Sequence, residues 1–207
     1  MNDIVKTPRQ KRSRNTLEQL MTAGVDLLMQ GDDAEFSVAA LSMKSGVSIG
    51  SIYQRFGSKD MIYLALQERV LEAMDREVTQ LFPPRRPDDL DDAGLIRDAV
   101  ARFCGHVARN EKIILSLSRF DAGNPRAMER GARSCGKVGE AFSTYLETAF
   151  GVGRRDDYDN CFRMMFACTW TRITGAPLTF DPANVDWASL SGFLGDLCVA
   201  FLLPTKK

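Results

Sequence analysis

Between residues 16 and 30 the positions Leu17, Leu20, Gly24, Leu27 and Leu28 recur at steps of three and four. That spacing predicts an amphipathic helix, with Gly31 placed to end it. The run Phe36-Ser37-Val38-Ala39-Ala40-Leu41 reads as a second helix start. Ser37 caps it, and Phe36 and Leu41 flank the first turn as a hydrophobic staple. This helix is short, because Gly46 offers the left-handed residue that closes a helix. The same grammar repeats at once: Ser48 caps a third helix, with Val47 and Ile52 as its staple, and a cap at Ser58 opens a long fourth helix from Lys59 to Leu81. Two helices of about two turns joined by a glycine turn predict a helix-turn-helix over residues 37–56. The run Pro83-Pro84-Arg85-Arg86-Pro87 stops the fourth helix. Beyond it, helical periods at 90–109, 111–120, 125–150, 156–174 and 186–203 are broken by Gly- and Pro-containing turns, and nothing alternates like a strand. The expected fold class is all-α.

Composition changes this picture little. A chain of 207 residues with 44% hydrophobic residues can bury a substantial core, and its 27 basic and 27 acidic residues cancel. Charge distribution says more. Lys6, Arg9, Lys11, Arg12 and Arg14 face one acid, Asp3, in the first fourteen residues, a basic arm suited to phosphate. No leader-like or membrane-length apolar run occurs, which predicts a cytoplasmic protein with no membrane partner. The five cysteines, Cys104, Cys135, Cys161, Cys168 and Cys198, have no C-x-x-C spacing and lie among apolar neighbours. They read as buried free thiols, with a redox-sensing cysteine as the alternative.

One short motif points elsewhere. Gly46-Val47-Ser48-Ile49-Gly50 fits G-x-S-x-G, which in some hydrolases exposes a nucleophilic serine at a strand-to-helix turn. The preceding residues, Ala40-Leu41-Ser42-Met43-Lys44-Ser45, are polar and helical in spacing, so the strand is missing. The base would have to be His106, the single histidine of the chain. A serine hydrolase is therefore a remote alternative. No metal-ligand spacing, phosphate-binding glycine loop or dinucleotide fingerprint gives another enzyme reading, and neither cofactor nor metal nor catalytic residue is expected.

The same stretch has a better use on DNA. On a helical wheel Ile52 and Phe56 share one side of the third helix, while Gly50, Ser51, Gln54 and part of Tyr53 point away. Gln54, with both a donor and an acceptor, suits an adenine edge; Ser51 suits several bases; Gly50 lets the helix come close. Ser37 and Ser48, at helix N-termini, suit phosphate oxygens as well as capping, and Tyr53 and Lys59 extend the backbone contacts.

These residues also carry a resemblance. L-M-T-A-G-V-D-L-L-M-Q-G from 20 to 31 and F-S-V-A-A-L-S-M-K-S-G-V-S-I-G-S-I-Y-Q-R-F-G-S-K-D-M-I from 36 to 62 resemble the DNA-binding domain of the tetracycline-repressor (TetR) family. The chain departs from the pattern at Gln54 and Arg55, where a histidine or an aromatic is frequent, and at Gly24 and Ser42, where alanine is common. The resemblance implies a helix-turn-helix domain at 1–60 and a helical effector-binding and dimerisation domain at 61–207. It implies a homodimeric transcriptional regulator, most often a repressor, whose palindromic operator is released when a small molecule binds.

The apolar bias of the second half suits a hydrophobic or aromatic effector. Phe103, His106, Phe120, Met165, Phe166 and Trp170 are the candidate pocket residues, with His106, Arg163 or Arg172 as polar anchor. In similar proteins the last two helices form a four-helix dimer interface. Here that face would include Phe162, Trp187, Leu190, Leu194, Leu197 and Phe201.

Overall fold

The computed structural model describes residues 8–30, 36–83, 89–121, 123–175 and 185–203. Among them are nine helices and no strand: α1 Pro8–Gln30, α2 Val38–Ser45, α3 Ile49–Phe56, α4 Lys59–Leu81, α5 Asp92–Arg109, α6 Glu111–Asp121, α7 Pro125–Phe150, α8 Arg155–Thr174 and α9 Trp187–Leu202. The all-α expectation holds, and most boundaries fall within two residues of those read from the sequence. The exception is α1, which begins eight residues before its apolar pattern does. Pro8 is its first residue, a position where the missing N–H would be unpaired anyway. The basic arm is thus partly helical backbone. Lys6 lies outside the described residues, as do the side chains of Arg9, Lys11 and Arg12; Arg14 is exposed. The described helices include none long and apolar enough to cross a membrane.

The contacts divide the chain into two compact units, Met1–Glu72 and Ala73–Lys207. In the first, α1, the short α2–α3 pair and the start of α4 enclose a core of Leu20, Leu28, Leu41, Ile52, Ile62 and Leu66, each almost fully buried. Gly24 belongs to this core because α1 and α4 nearly touch there. A Cβ at Gly24 would stand 2.5 Å from a Leu66 methyl, so the glycine in place of the expected alanine follows from the bulk of Leu66.

In the second unit α5 packs on α9 and α7 on α8 around Leu95, Ile96, Phe142, Leu146, Met165 and Leu194. Side-chain caps start three of its helices as the residue types dictate: Asp91 accepts from the Gly94 N–H, Asn124 from the Ala127 N–H, and Asp186 from the Ser189 N–H. The turn between α5 and α6 is a single residue, Asn110, whose N–H bonds back to the Val107 carbonyl.

A polar cluster fixes the second half of α4 to α7. Asp75 accepts hydrogen bonds from Arg130 Nη2 at 3.2 Å, Ser134 Oγ at 2.5 Å and Lys137 Nζ at 2.5 Å. The three donors sit one turn apart on one face of α7. Both the Asp75 and Arg130 side chains are only 10% exposed. Burial alone would raise the Asp75 carboxyl. The hydrogen bonds of Lys137 and Ser134 and the charges of Arg130 and Lys137 outweigh it and hold the group below the ordinary carboxylate range.

The alanine variant of Asp75 should therefore remove the buried carboxylate on which Arg130, Ser134 and Lys137 converge and lose about 3 kcal/mol of stability. Because the folded-state value is depressed, the carboxylate's contribution is present at neutral pH and disappears as the pH falls below about 4. Urea denaturation between pH 7 and pH 3 reads both effects: the wild type should show a steeper acid loss than Asp75→Ala. Equal slopes would mean that the cluster does not stabilise the unit.

Candidate nucleic-acid interface

Each turn of the α2–α3 pair is fixed by a local hydrogen bond. Ser37, in extended conformation, accepts from the Ala40 N–H at 3.1 Å and starts α2. Gly46 ends it in the left-handed region at φ +69°, where a side chain would be strained, and its N–H bonds to the Ser42 carbonyl. The Ser42 hydroxyl then donates to the Val47 carbonyl at 2.7 Å and ties the turn to the end of α2. A hydroxyl is thus useful where alanine was expected. Ser48 starts α3 by accepting from the Ser51 N–H at 3.3 Å, and Ser48 Oγ and Ser51 Oγ lie 2.9 Å apart in a second hydrogen bond. Ser58 caps α4 through the Met61 N–H. These are the caps that the sequence predicts.

Within α3 one face is anchored and the other is open. Ile52 is 0% exposed and Phe56 is half-buried, while Gly50, Ser51, Tyr53 and Gln54 are exposed. Nothing lies within 4 Å of where a Gly50 Cβ would stand, so that surface is open to close approach. Lys59 and Ser48 are also exposed, and Ser37 is half-buried at the start of α2. Two further residues on this surface escaped the sequence reading. Ile49, at the first turn of α3, is 45% exposed, an apolar side chain on an otherwise polar face. Arg55 donates from Nη2 to the Ser13 carbonyl and hydroxyl, at 3.2 and 2.9 Å, and joins the end of α3 to the first turns of α1. A wheel drawn through Ile49 would have found the first; a pairing 42 residues apart left no local signal for the second.

The hydrolase alternative needs a strand before Ser48. That place is occupied by α2 and its glycine turn, and the Ser48 hydroxyl is engaged with Ser51. The geometry is that of a helix-turn-helix.

Residues 20–66 match the family described as bacterial regulatory proteins, tetR family. Over that stretch the chain carries a tetR-family domain. No curated protein matches it, but many solved structures do. A TetR-like transcriptional regulator from Rhodococcus sp. RHA1 is similar at 19% identity over 92% of this chain and 97% of that one, with a TM-score of 0.61. A tetR-family transcriptional regulator from Streptomyces coelicolor is similar at 14% identity over 89% and 81%, with a TM-score of 0.66. Salmonella enterica GusR is similar at 13% identity over 97% and 99%, with a TM-score of 0.61. At these identities the structures establish a shared fold over nearly the whole chain. The matched domain is one of bacterial regulatory proteins, and the fold around it is the one those regulators share.

In the second unit the candidate effector residues differ in exposure. Phe103, His106 and Met165 are buried, and Phe120 is half-buried. Phe166 stacks between Phe162 and Trp170, with Trp170 38% exposed at the surface. His106 is the unusual member. Nε2 forms no hydrogen bond, and Nδ1 lies 3.4 Å from Glu77 Oε2, within reach of its charge but without a well-formed hydrogen bond. Burial pushes the imidazole below its usual range against the pull of Glu77, with Arg109 lowering it further. The other two polar candidates are engaged: Arg163 bonds to Asn160, and Arg172 bonds to Glu111 while its guanidinium lies 4.5 Å over the Trp187 ring.

The candidate dimer residues divide likewise. Leu197 and Phe201 are exposed on α9, whereas Trp187 and Leu190 are half-buried. Leu194 is fully buried within its own unit, and Phe162, half-buried, packs among Phe103, Phe142 and Gly139. The outward stripe is Phe193, Leu197 and Phe201, one residue out of step with the buried Leu194, Cys198 and Leu202. The sequence does not separate the two stripes because α9 is apolar nearly all round.

The role of Ser48 as a cap is open to measurement. Ser48→Ala should cost about 1 kcal/mol of stability, seen in chemical denaturation, since a cap oxygen is lost. A variant as stable as the wild type would remove the capping role.

Proposed function

We propose that this regulator is a cytoplasmic homodimeric repressor that reads a palindromic operator through α3 and leaves it when a small apolar or aromatic effector binds. In this reading residues 1–60, with the basic arm at 1–14, form the DNA-binding domain, and 61–207 form the effector and dimerisation domain. The observation that carries the DNA part is the division of α3: Ile52 sits wholly inside, and Gly50, Ser51, Tyr53 and Gln54 stand outside. That face is small enough for a major groove. Gln54 pairs both its amide groups with an adenine edge, Ser51 adds a second base contact, and Gly50 removes the bulk that would hold the helix off. Ser37 and Ser48 bring helix N-termini and hydroxyls to phosphate oxygens, and Tyr53 and Lys59 add neighbouring backbone contacts.

The dimer reading is supported by the stripe of Phe193, Leu197 and Phe201 with Trp170 exposed on α8, since exposed apolar rows at one-turn spacing mark interaction surfaces. A second copy of the chain is the occupant. Pairing two copies holds two α3 helices roughly 34 Å apart for successive major grooves, which is why the operator is a palindrome. The effector works by favouring a dimer with a different spacing, and its influence equals its differential affinity for the two forms. Phe103 and His106 are the contacts proposed for it.

Selection of bound duplex from a random pool tests the reading and supplies the operator, and repeating it with a panel of aromatic ligands tests release. On that operator Gln54→Ala should lose about 1 to 3 kcal/mol of discrimination at one base pair. Lys59→Ala should weaken binding to all sequences and reduce the salt slope by about one. If both variants bind like the wild type, α3 is not the reading helix. Phe193→Glu should give a monomer in analytical ultracentrifugation; an unchanged dimer would move the interface off the α9 stripe.

A further inference from the structure

The apolar residues in and just before α3 divide by what each one does for the fold. Val47 and Ile52 sit at the staple positions across the Ser48 cap, Val47 half-buried and Ile52 wholly enclosed, and Phe56 is half-buried one turn further on. Ile49, the first residue of α3, is outside that staple and 45% exposed. Isoleucine is a poorer helix former than alanine, lysine or glutamine, so helix formation does not call for it either.

Going round α3 at about 100° per residue, the exposed positions follow in the order Ser51, Gln54, Gly50, Tyr53, Ile49 before the half-buried Phe56 and the buried Ile52 are reached. Ser51 and Gln54, which carry hydrogen-bonding groups, stand on one side of Gly50. Tyr53 and Ile49, one turn apart and 42% and 45% exposed, stand on the other. Gly50 has nothing within 4 Å of where its Cβ would be, so a ligand can reach both sides. The outward face of α3 is thus half polar and half apolar. In a major groove one base presents a hydrocarbon group, the 5-methyl of thymine; the other edges present donors and acceptors, which an isoleucine would leave without a partner. A β-branched side chain suits such a contact, because its stiff χ1 leaves little freedom to lose on binding.

We propose, resting on the reading of α3 as the helix in the major groove, that Ile49 is a specificity-determining residue that receives the 5-methyl group of one thymine in each operator half-site. The Tyr53 ring flanks the methyl while its hydroxyl keeps the backbone contact. The two sides of α3 then select by different physics. Gln54 chooses an adenine by paired hydrogen bonds, and Ile49 chooses a thymine by removing its methyl from water. Cytosine, which has no methyl and carries an N4 donor where thymine has an acceptor, is rejected at that position.

The test takes the operator selected from the random pool and replaces its thymines one at a time with uracil, which keeps every hydrogen-bonding group and lacks only the 5-methyl. Fluorescence anisotropy with the full wild-type chain should find one position per half-site where uracil weakens binding about fourfold, the worth of one buried methyl. At that position 5-bromouracil, whose bromine fills the place of the methyl, should restore the affinity. Ile49→Ala should bind the thymine and uracil duplexes alike, whereas Ile49→Val should still prefer thymine. The uracil scan needs no variant, so it decides the matter even where a substitution disturbs folding. Two results overturn the assignment: no thymine whose methyl matters, or an Ile49→Ala chain that keeps the whole thymine preference, as it would if Ile49 acted only in folding. Gln54→Ala separates this from the reading beneath it. An operator that depends on Gln54 but on no thymine methyl leaves α3 in the groove and removes Ile49 alone; a pool that yields no preferred sequence, or an operator indifferent to both residues, removes both.

Discussion

The burial of one side chain, Ile52, fixes the orientation on which the exposed face of α3, the proposed DNA surface, depends. An eight-residue helix has too few internal hydrogen bonds to persist alone in water. What holds α3 is Ile52, wholly enclosed in the core with Leu20, Leu41 and Leu66, at about 1.5 to 3 kcal/mol for a side chain of this size. Its caps act at the ends: Ser48 sets the first turn and Gly57, with its N–H on the Tyr53 carbonyl, closes the last. Since successive residues turn by about 100°, placing Ile52 inward leaves Gly50, Ser51, Tyr53 and Gln54 outward without any further interaction. In the proposed reading, specificity toward DNA is thus carried by side chains that contribute little to folding. The core positions them and leaves their identities free to vary.

That separation explains what could be read from the sequence. The α2–α3 pair was legible because every determinant is local: Ser37, Gly46, Ser48 and Ser58 act within four residues of themselves, and the wheel of α3 follows from Ile52 and Phe56. The second unit was legible only as a set of helices. Its decisive contacts join residues far apart in the chain, such as Asp75 with Arg130, and Glu111 with Arg172 and Trp187. In α8 and α9, where nearly every face is apolar, periodicity cannot separate an inward stripe from an outward one. The structure separates Leu194 from Phe193, neighbours in sequence and opposite in burial.

Polar groups inside the second unit fall into two kinds, and the difference bears on where a ligand acts. The buried Asp75 carboxylate is matched by Arg130, Ser134 and Lys137. Such networks specify how helices pack and gain nothing from a visitor. His106 is of the other kind. A buried polar group without a proper hydrogen bond costs about 1 to 3 kcal/mol, and the imidazole carries two such nitrogens, one of them facing only the long approach of Glu77. Kept neutral by burial, it has one donor and one acceptor to offer, so a molecule with a hydroxyl or amide beside an apolar body recovers that cost. An apolar effector without such a group gains only the contact with Phe103 and its neighbours. In the proposed reading, then, His106, more than the aromatic residues that surround it, would set the chemistry by which an effector is recognised.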